Sequence, residues 1–149
     1  MKRSEIITIF RFFNDFKLNK FSKNVRKSIL SIHLASYKIA KEYDEAVQEL
    51  QKKTFEGKDE QVQELMELRN EYRAADDKRK TEIEKTIVTD YKEILELERD
   101  LNQAIEDLLN ETIDITFTKM KSDEFVEDCA KADVEITPAT LIQLEPVFE

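Results

Sequence analysis

Gly57 is the only glycine in the chain, and Pro138 and Pro146 are its only prolines. Sheet proteins draw on glycine and proline at many turns, because those residues supply the backbone angles that reverse a strand. A chain of 149 residues with three such residues reverses rarely and must run in long helices. Its length suits one domain with a core that needs no disulfide or metal. Charged residues make up 38%, against about 25% in ordinary globular proteins. The 9 Phe and 4 Tyr supply enough apolar surface to favour a folded core over disorder.

Residues 4–16 read as a first helix, with Ser4 as N-cap and Glu5 in the first turn. Ile6, Ile9, Phe10, Phe13 and Phe16 share one face, which Ile7 and Phe12 widen. A turn over residues 19–22 leads to a second helix, capped by Ser22 and running to about Lys53. Val25, Ile29, Ile32, Ser36, Ile39, Tyr43, Ala46 and Leu50 recur there in alternating steps of four and three, a heptad seam. Leu30, Leu34, Tyr37 and Val47 flank the seam and make it broad for a two-stranded zipper, so a bundle is expected.

Gly57 marks a helix stop, since glycine tolerates the left-handed conformation found there. A third helix follows over residues 59–75, with Val62, Leu65, Met66, Arg69 and Tyr72 inward. Residues 76–80 carry no apolar side chain. They read either as a turn before a Thr81/Glu84 capping box or as the middle of one long helix, and the continuous form is favoured. The next stretch runs from 81 to 110 with Ile83, Ile87, Tyr91, Ile94, Leu101, Ile105 and Leu108 as its stripe, interrupted by Glu98.

After Glu111 the period changes. Ile113, Ile115 and Phe117 alternate with polar residues and predict a half-buried strand; Val134 and Ile136 predict its partner. A short helix over residues 122–130 separates them, with Phe125, Val126 and Cys129 on one side, and Thr137 with Pro138 starts a last one that Pro146 ends. The expected fold is mainly α: a long-helix antiparallel bundle or coiled-coil hairpin over residues 1–111. A small αβ appendage of strand, short helix, strand and short helix follows over 112–149.

The chemistry-bearing residues are few. His33 is the only histidine and Cys129 the only cysteine. Zinc, haem and Ser-His-Asp chemistry lose their ligands and bases, and one glycine cannot build a phosphate-binding loop. Glu93, Glu96 and Glu98 lack the paired histidines of a di-iron bundle. His33 has no carboxylate or thiol three or four residues away to orient it. The expectation is a protein that is not an enzyme, with no catalytic residue, no metal site and no cofactor. The start at Met1-Lys2-Arg3 imitates a signal peptide, but Arg11 and Asp15 break the apolar stretch, and it reads as part of the mature fold. A reducing compartment and no membrane partner are expected.

Charge is the remaining signal. Residues 1–41 hold ten Lys or Arg against Glu5 and Asp15, a net of +8, while the rest carries −17 of the chain's −9 total. Such asymmetry speaks about partners. Lys17, Lys20, Lys23, Arg26 and Lys27 form a candidate basic patch for phosphates or carboxylates. The commoner use is pairing with acidic residues of the same chain or a neighbour. The acidic helices can also be read as a mimic of a nucleic-acid backbone that inhibits a host protein. Phe10, Phe12, Phe13, Phe16, Val25, Ile29, Ile32, Ile39, Tyr43 and Leu50 form a candidate partner interface. A protein partner or a homo-oligomer is expected first, nucleic acid second.

The C-terminal third carries a resemblance. Leu108-Leu109-Asn110-Glu111 is followed by Ile113-Asp114-Ile115-Thr116-Phe117 and Lys119-Met120-Lys121. Then come Ile136-Thr137-Pro138, Leu141 and Leu144-Glu145-Pro146. Over residues 108–148 this resembles the tail end of small, acidic, helical bacteriophage-encoded proteins of unknown function. The resemblance transfers no functional residue. It implies a virion component, an assembly factor or a host-interaction protein, located in the host cytoplasm or on the virion.

Overall fold

The computed structural model describes residues 1–149 as seven α-helices and two 3-10 turns, without a β-strand. The helices are α1 (Arg3–Asn14), α2 (Lys23–Thr54), α3 (Asp59–Ala74), α4 (Asp77–Asp90), α5 (Lys92–Asn110), α6 (Ser122–Lys131) and α7 (Pro138–Gln143). The 3-10 turns are Leu18–Lys20 and Glu145–Val147. None of the helices is long and apolar enough to cross a membrane. Two compact units divide the chain: Met1–Asp44 with Leu108–Glu149, and Glu45–Asp107. This division does not coincide with the 111/112 boundary read from the sequence.

In the first unit the N-terminal and C-terminal segments share one core. Ile9, Phe13, Phe21, Val25, Ile29 and Ile32 pack with Met120, Phe125, Cys129, Leu144 and Val147. The phenylalanines form a connected set, with ring centroids 5.3 Å apart for Phe13 and Phe16 and 6.0 Å for Phe13 and Phe125. Phe148 closes it 5.7 Å from Phe125. Residues 112–149 are therefore half of a core and no appendage.

The backbone at Lys2 starts α1, its N–H donating to the Glu5 carboxylate at 2.8 Å, so Ser4 lies inside the first turn and caps nothing. Arg3 pairs with Glu111, and the Ile113 N–H donates to the Met1 carbonyl at 2.8 Å. Thr137 caps α7 as expected, accepting the Thr140 N–H at 3.2 Å.

The two expected strands are absent. Residues 113–117 form no regular element and no ladder, though alternate side chains are half-buried as the period implied. Only single bridges occur, Lys2 with Thr112 and Met120 with Phe148. Side chains of α2 take over part of the pairing: the Ser31 hydroxyl accepts the Thr118 N–H at 3.0 Å, and the Ser28 hydroxyl donates to the Lys119 carbonyl at 3.1 Å. These two hydroxyls give one backbone N–H and one carbonyl the partners that a second strand would otherwise supply.

In the second unit Gly57 ends the helical turn after α2 with φ +73°. A Cβ there would meet nothing within 4 Å, so a side chain is opposed by backbone conformation alone. Gly57→Ala is expected to cost about 1 kcal/mol in urea unfolding, and Gly57→Asn less, because asparagine enters this region more readily.

The favoured continuous helix across residues 76–80 is overturned. Ala75 is extended at ψ 154°, and the Asp76 carboxylate accepts the Arg79 N–H at 2.8 Å, capping α4. A side chain three residues from an orphan donor offers the backbone an alternative to helix, and here the chain reverses on it. Pairs then run in opposite order along α3 and α4: Glu71 with Arg79, Tyr72 with Glu84, Glu64 with Tyr91. The stretch expected as one helix over 81–110 also bends at Tyr91 (φ −114°, ψ 21°), separating α4 from α5. Glu98, the gap in the α5 stripe, meets Arg69, the polar residue of the α3 stripe, in two hydrogen bonds of 2.7 Å.

Candidate interaction surface

Helix α2 presents two seams. The inner one holds Val25, Ile29 and Ile32, all buried, and Ser36, whose hydroxyl donates to the Ile32 carbonyl at 2.7 Å. At 100° per residue, Leu30, Leu34 and Tyr37 lie roughly 140° around the helix from these four. They are 46%, 72% and 52% exposed. Large apolar side chains standing singly on a surface are ordinary, whereas three in line on one helix form a face. Tyr37 and Phe10 of α1 have ring centroids 6.1 Å apart, and Phe10 stacks on His33 at 4.8 Å with 26° between the planes. His33 Nδ1 is buried without a hydrogen-bond partner.

Cations prolong the face toward the N-terminus of α2. Lys23, Arg26 and Lys27 line one recess together with Leu30. Lys17 and Lys20, read from the sequence as part of the same patch, line a separate recess with Phe12, Phe16 and Val134. Lys20 reaches Asp133 at 3.4 Å. The basic patch is thus two patches.

The candidate partner residues also divide. Val25, Ile29, Ile32 and Phe13 are buried inside the chain, and Phe12 and Phe16 pack against the same core. The four buried residues are taken up by the chain's own core, with residues of the C-terminal segment packed on them, and are not open to a partner, whereas Phe12 and Phe16 stay half-buried. Ile39, Tyr43, Leu50 and Phe10 are half-buried. No family model, curated protein or solved structure matches this chain.

By periodicity alone Leu30, Leu34 and Tyr37 read as flanks of the inner seam. A signal was present: Lys23, Lys27, Leu30, Leu34, Tyr37 and Lys41 follow the same steps of four and three as the inner seam.

The single cysteine lies outside this face. Cys129 is buried, and burial, with the negative charge of Asp128 beside it, pushes its thiol up to about 11. Thiolate is scarce under such conditions. Nowhere do three or more metal-ligating side chains gather.

Proposed function

We propose that this chain is a non-enzymatic adaptor or assembly protein that works by docking another protein chain on the outer face of α2. The observation that carries the reading is the exposed row Leu30, Leu34 and Tyr37 on a helix whose inner side is buried from Val25 to Ser36. A helix locked from behind presents its outer row without an ordering cost, which is what a helix-docking surface requires. The phage-type resemblance of residues 108–148 adds a virion-assembly or host-directed setting to this reading.

Position-specific cross-linking tests it. A photoreactive phenylalanine analogue at position 34 is expected to give a discrete protein adduct in cells that express the chain. The same group at Ile142, which is 76% exposed in α7, is expected to give none. Leu30→Glu is expected to erase the adduct at 34 while shifting unfolding free energy by no more than about 0.5 kcal/mol, as for surface positions in general. Equal labelling at 34 and 142, or none at 34, would overturn the reading.

A further inference from the structure

We infer that the occupant of this face is an acidic amphipathic helix of a different protein, its apolar row on Leu30, Leu34 and Tyr37 and its carboxylates on Lys23, Arg26 and Lys27. The inference rests on the docking reading above and names the partner's chemistry.

The first support is charge left over. The chain holds nine more acidic than basic residues, so a cation here has carboxylates to spare. Some cations elsewhere use them: Arg3 meets Glu111, Lys58 meets Glu93 at 2.7 Å, Arg69 meets Glu98 and Arg79 meets Glu71. Lys23, Arg26 and Lys27 enter no ion pair; Arg26 donates only to the Phe21 carbonyl, at 3.3 Å. Glu124 and Glu127 border a recess with Lys23 without pairing with it. Three exposed cations in one cluster, unmatched within an acidic chain, fit an anionic partner.

The second support is spacing. Steps of four and three from Lys23 to Lys41 are the seam into which another helix packs its side chains. The apolar part, Leu30 to Tyr37, is about 10 Å long at 1.5 Å per residue. Two turns of apolar contact fall short of the 1,200–2,000 Å² or so of a stable interface. Ion pairs at the basic end must share in the recognition.

A second copy does not fit. Paired parallel, each lysine of the seam would face its own counterpart; paired antiparallel about Leu34, Lys27 would face Lys41. Both registers oppose like charges at the ends of a short apolar contact. Nucleic acid would use the cations and leave the apolar row without a role. A bilayer favours a broad apolar arc, and this row is a narrow seam.

The test is fluorescence anisotropy with four probes: a three-heptad helical peptide with leucine seam positions and glutamate flanks, its lysine-flanked counterpart, duplex DNA and phosphatidylserine vesicles. The acidic peptide is expected to bind and the other three to bind at least ~10-fold more weakly. Lys23→Glu, Arg26→Glu and Lys27→Glu combined are expected to reverse the peptide preference. That gain of binding to the basic peptide cannot arise from misfolding. Equal binding of both peptides by the unaltered chain would overturn the acidic partner and leave the docking face standing. Tighter binding of DNA or vesicles than of the acidic peptide would overturn it as well. If neither peptide binds and position 34 yields no cross-link, both readings fall.

Discussion

Phe125→Ala is expected to lower the free energy of unfolding by about 3–5 kcal/mol, the range for removing a fully buried aromatic side chain. Phe125 is wholly buried, within 6.0 Å of Phe13 and 5.7 Å of Phe148 by ring centroid. Truncation leaves a void that rings from both ends of the chain must line. Whole domains are stable by about 5–15 kcal/mol, so the loss is a large fraction of the total. Val126→Ala, one residue on at a 40% exposed position, is expected to stay within about 0.5 kcal/mol. Urea unfolding followed by circular dichroism gives both values. Hydrogen exchange adds the decisive detail: amides of α1 should lose protection in Phe125→Ala, because α1 and α6 share this core. Unchanged α1 protection would mean that residues 112–149 are a separate appendage after all.

Asp128→Ala is expected to cost about 1–2 kcal/mol at pH 7, as for loss of a helix cap. Asp128 is a buried carboxylate on α6 whose Oδ2 accepts the Ser22 N–H at 2.7 Å, at the entry to α2. Lys131 Nζ lies 3.5 Å from its other oxygen. Burial by itself would raise its pKa. The hydrogen bonds from Ser22 and the charge of Lys131 outweigh that and hold the carboxyl below the ordinary aspartate range. A folded-state value below the unfolded one means the carboxylate stabilises the fold above about pH 4, the unfolded aspartate value. That contribution fades as pH falls through the folded value. The stability gap between the native chain and Asp128→Ala should therefore narrow from pH 7 to pH 3. A gap that stays constant over that range would assign the loss to packing alone.

Local chemistry made the helix ends legible. Gly57 and Thr137-Pro138 act on their own backbone, and both elements begin or end where those residues stand. Asp76 acts as locally, yet it sits at the head of a charged run, where a capping carboxylate looks like any solvated one. Tyr91 bends the chain with neither glycine nor proline to announce it. The alternation of residues 113–117 correctly reported half-burial every second residue. It carries no information on what pairs with the backbone: Ile113 bonds Met1, and just past the segment two serine hydroxyls of α2 meet Thr118 and Lys119.

The same limit explains the interface. Periodicity marks Val25, Ile29 and Ile32 as a face to be covered, and the cover, with Phe125 and Leu144 in it, comes from about a hundred residues further along. The weaker seam of Leu30, Leu34 and Tyr37 repeats in phase beside the stronger one and reads as its flank. Arg69 and Glu98 show the reverse case, in which two polar residues breaking two apolar stripes point to each other.

Two substitutions two residues apart test the proposed division of α2 into one face for folding and one for docking. Ile32→Asp places a charge where no surface is exposed, and Leu34→Asp places the same charge at 72% exposure. Thermal unfolding of both variants, with anisotropy of the acidic peptide on each, is the measurement. Ile32→Asp should lose the cooperative transition. Leu34→Asp should melt like the native chain and lose the peptide. Leu34→Asp unfolding like Ile32→Asp, or folding and still binding the peptide, would contradict the assignment of the two faces.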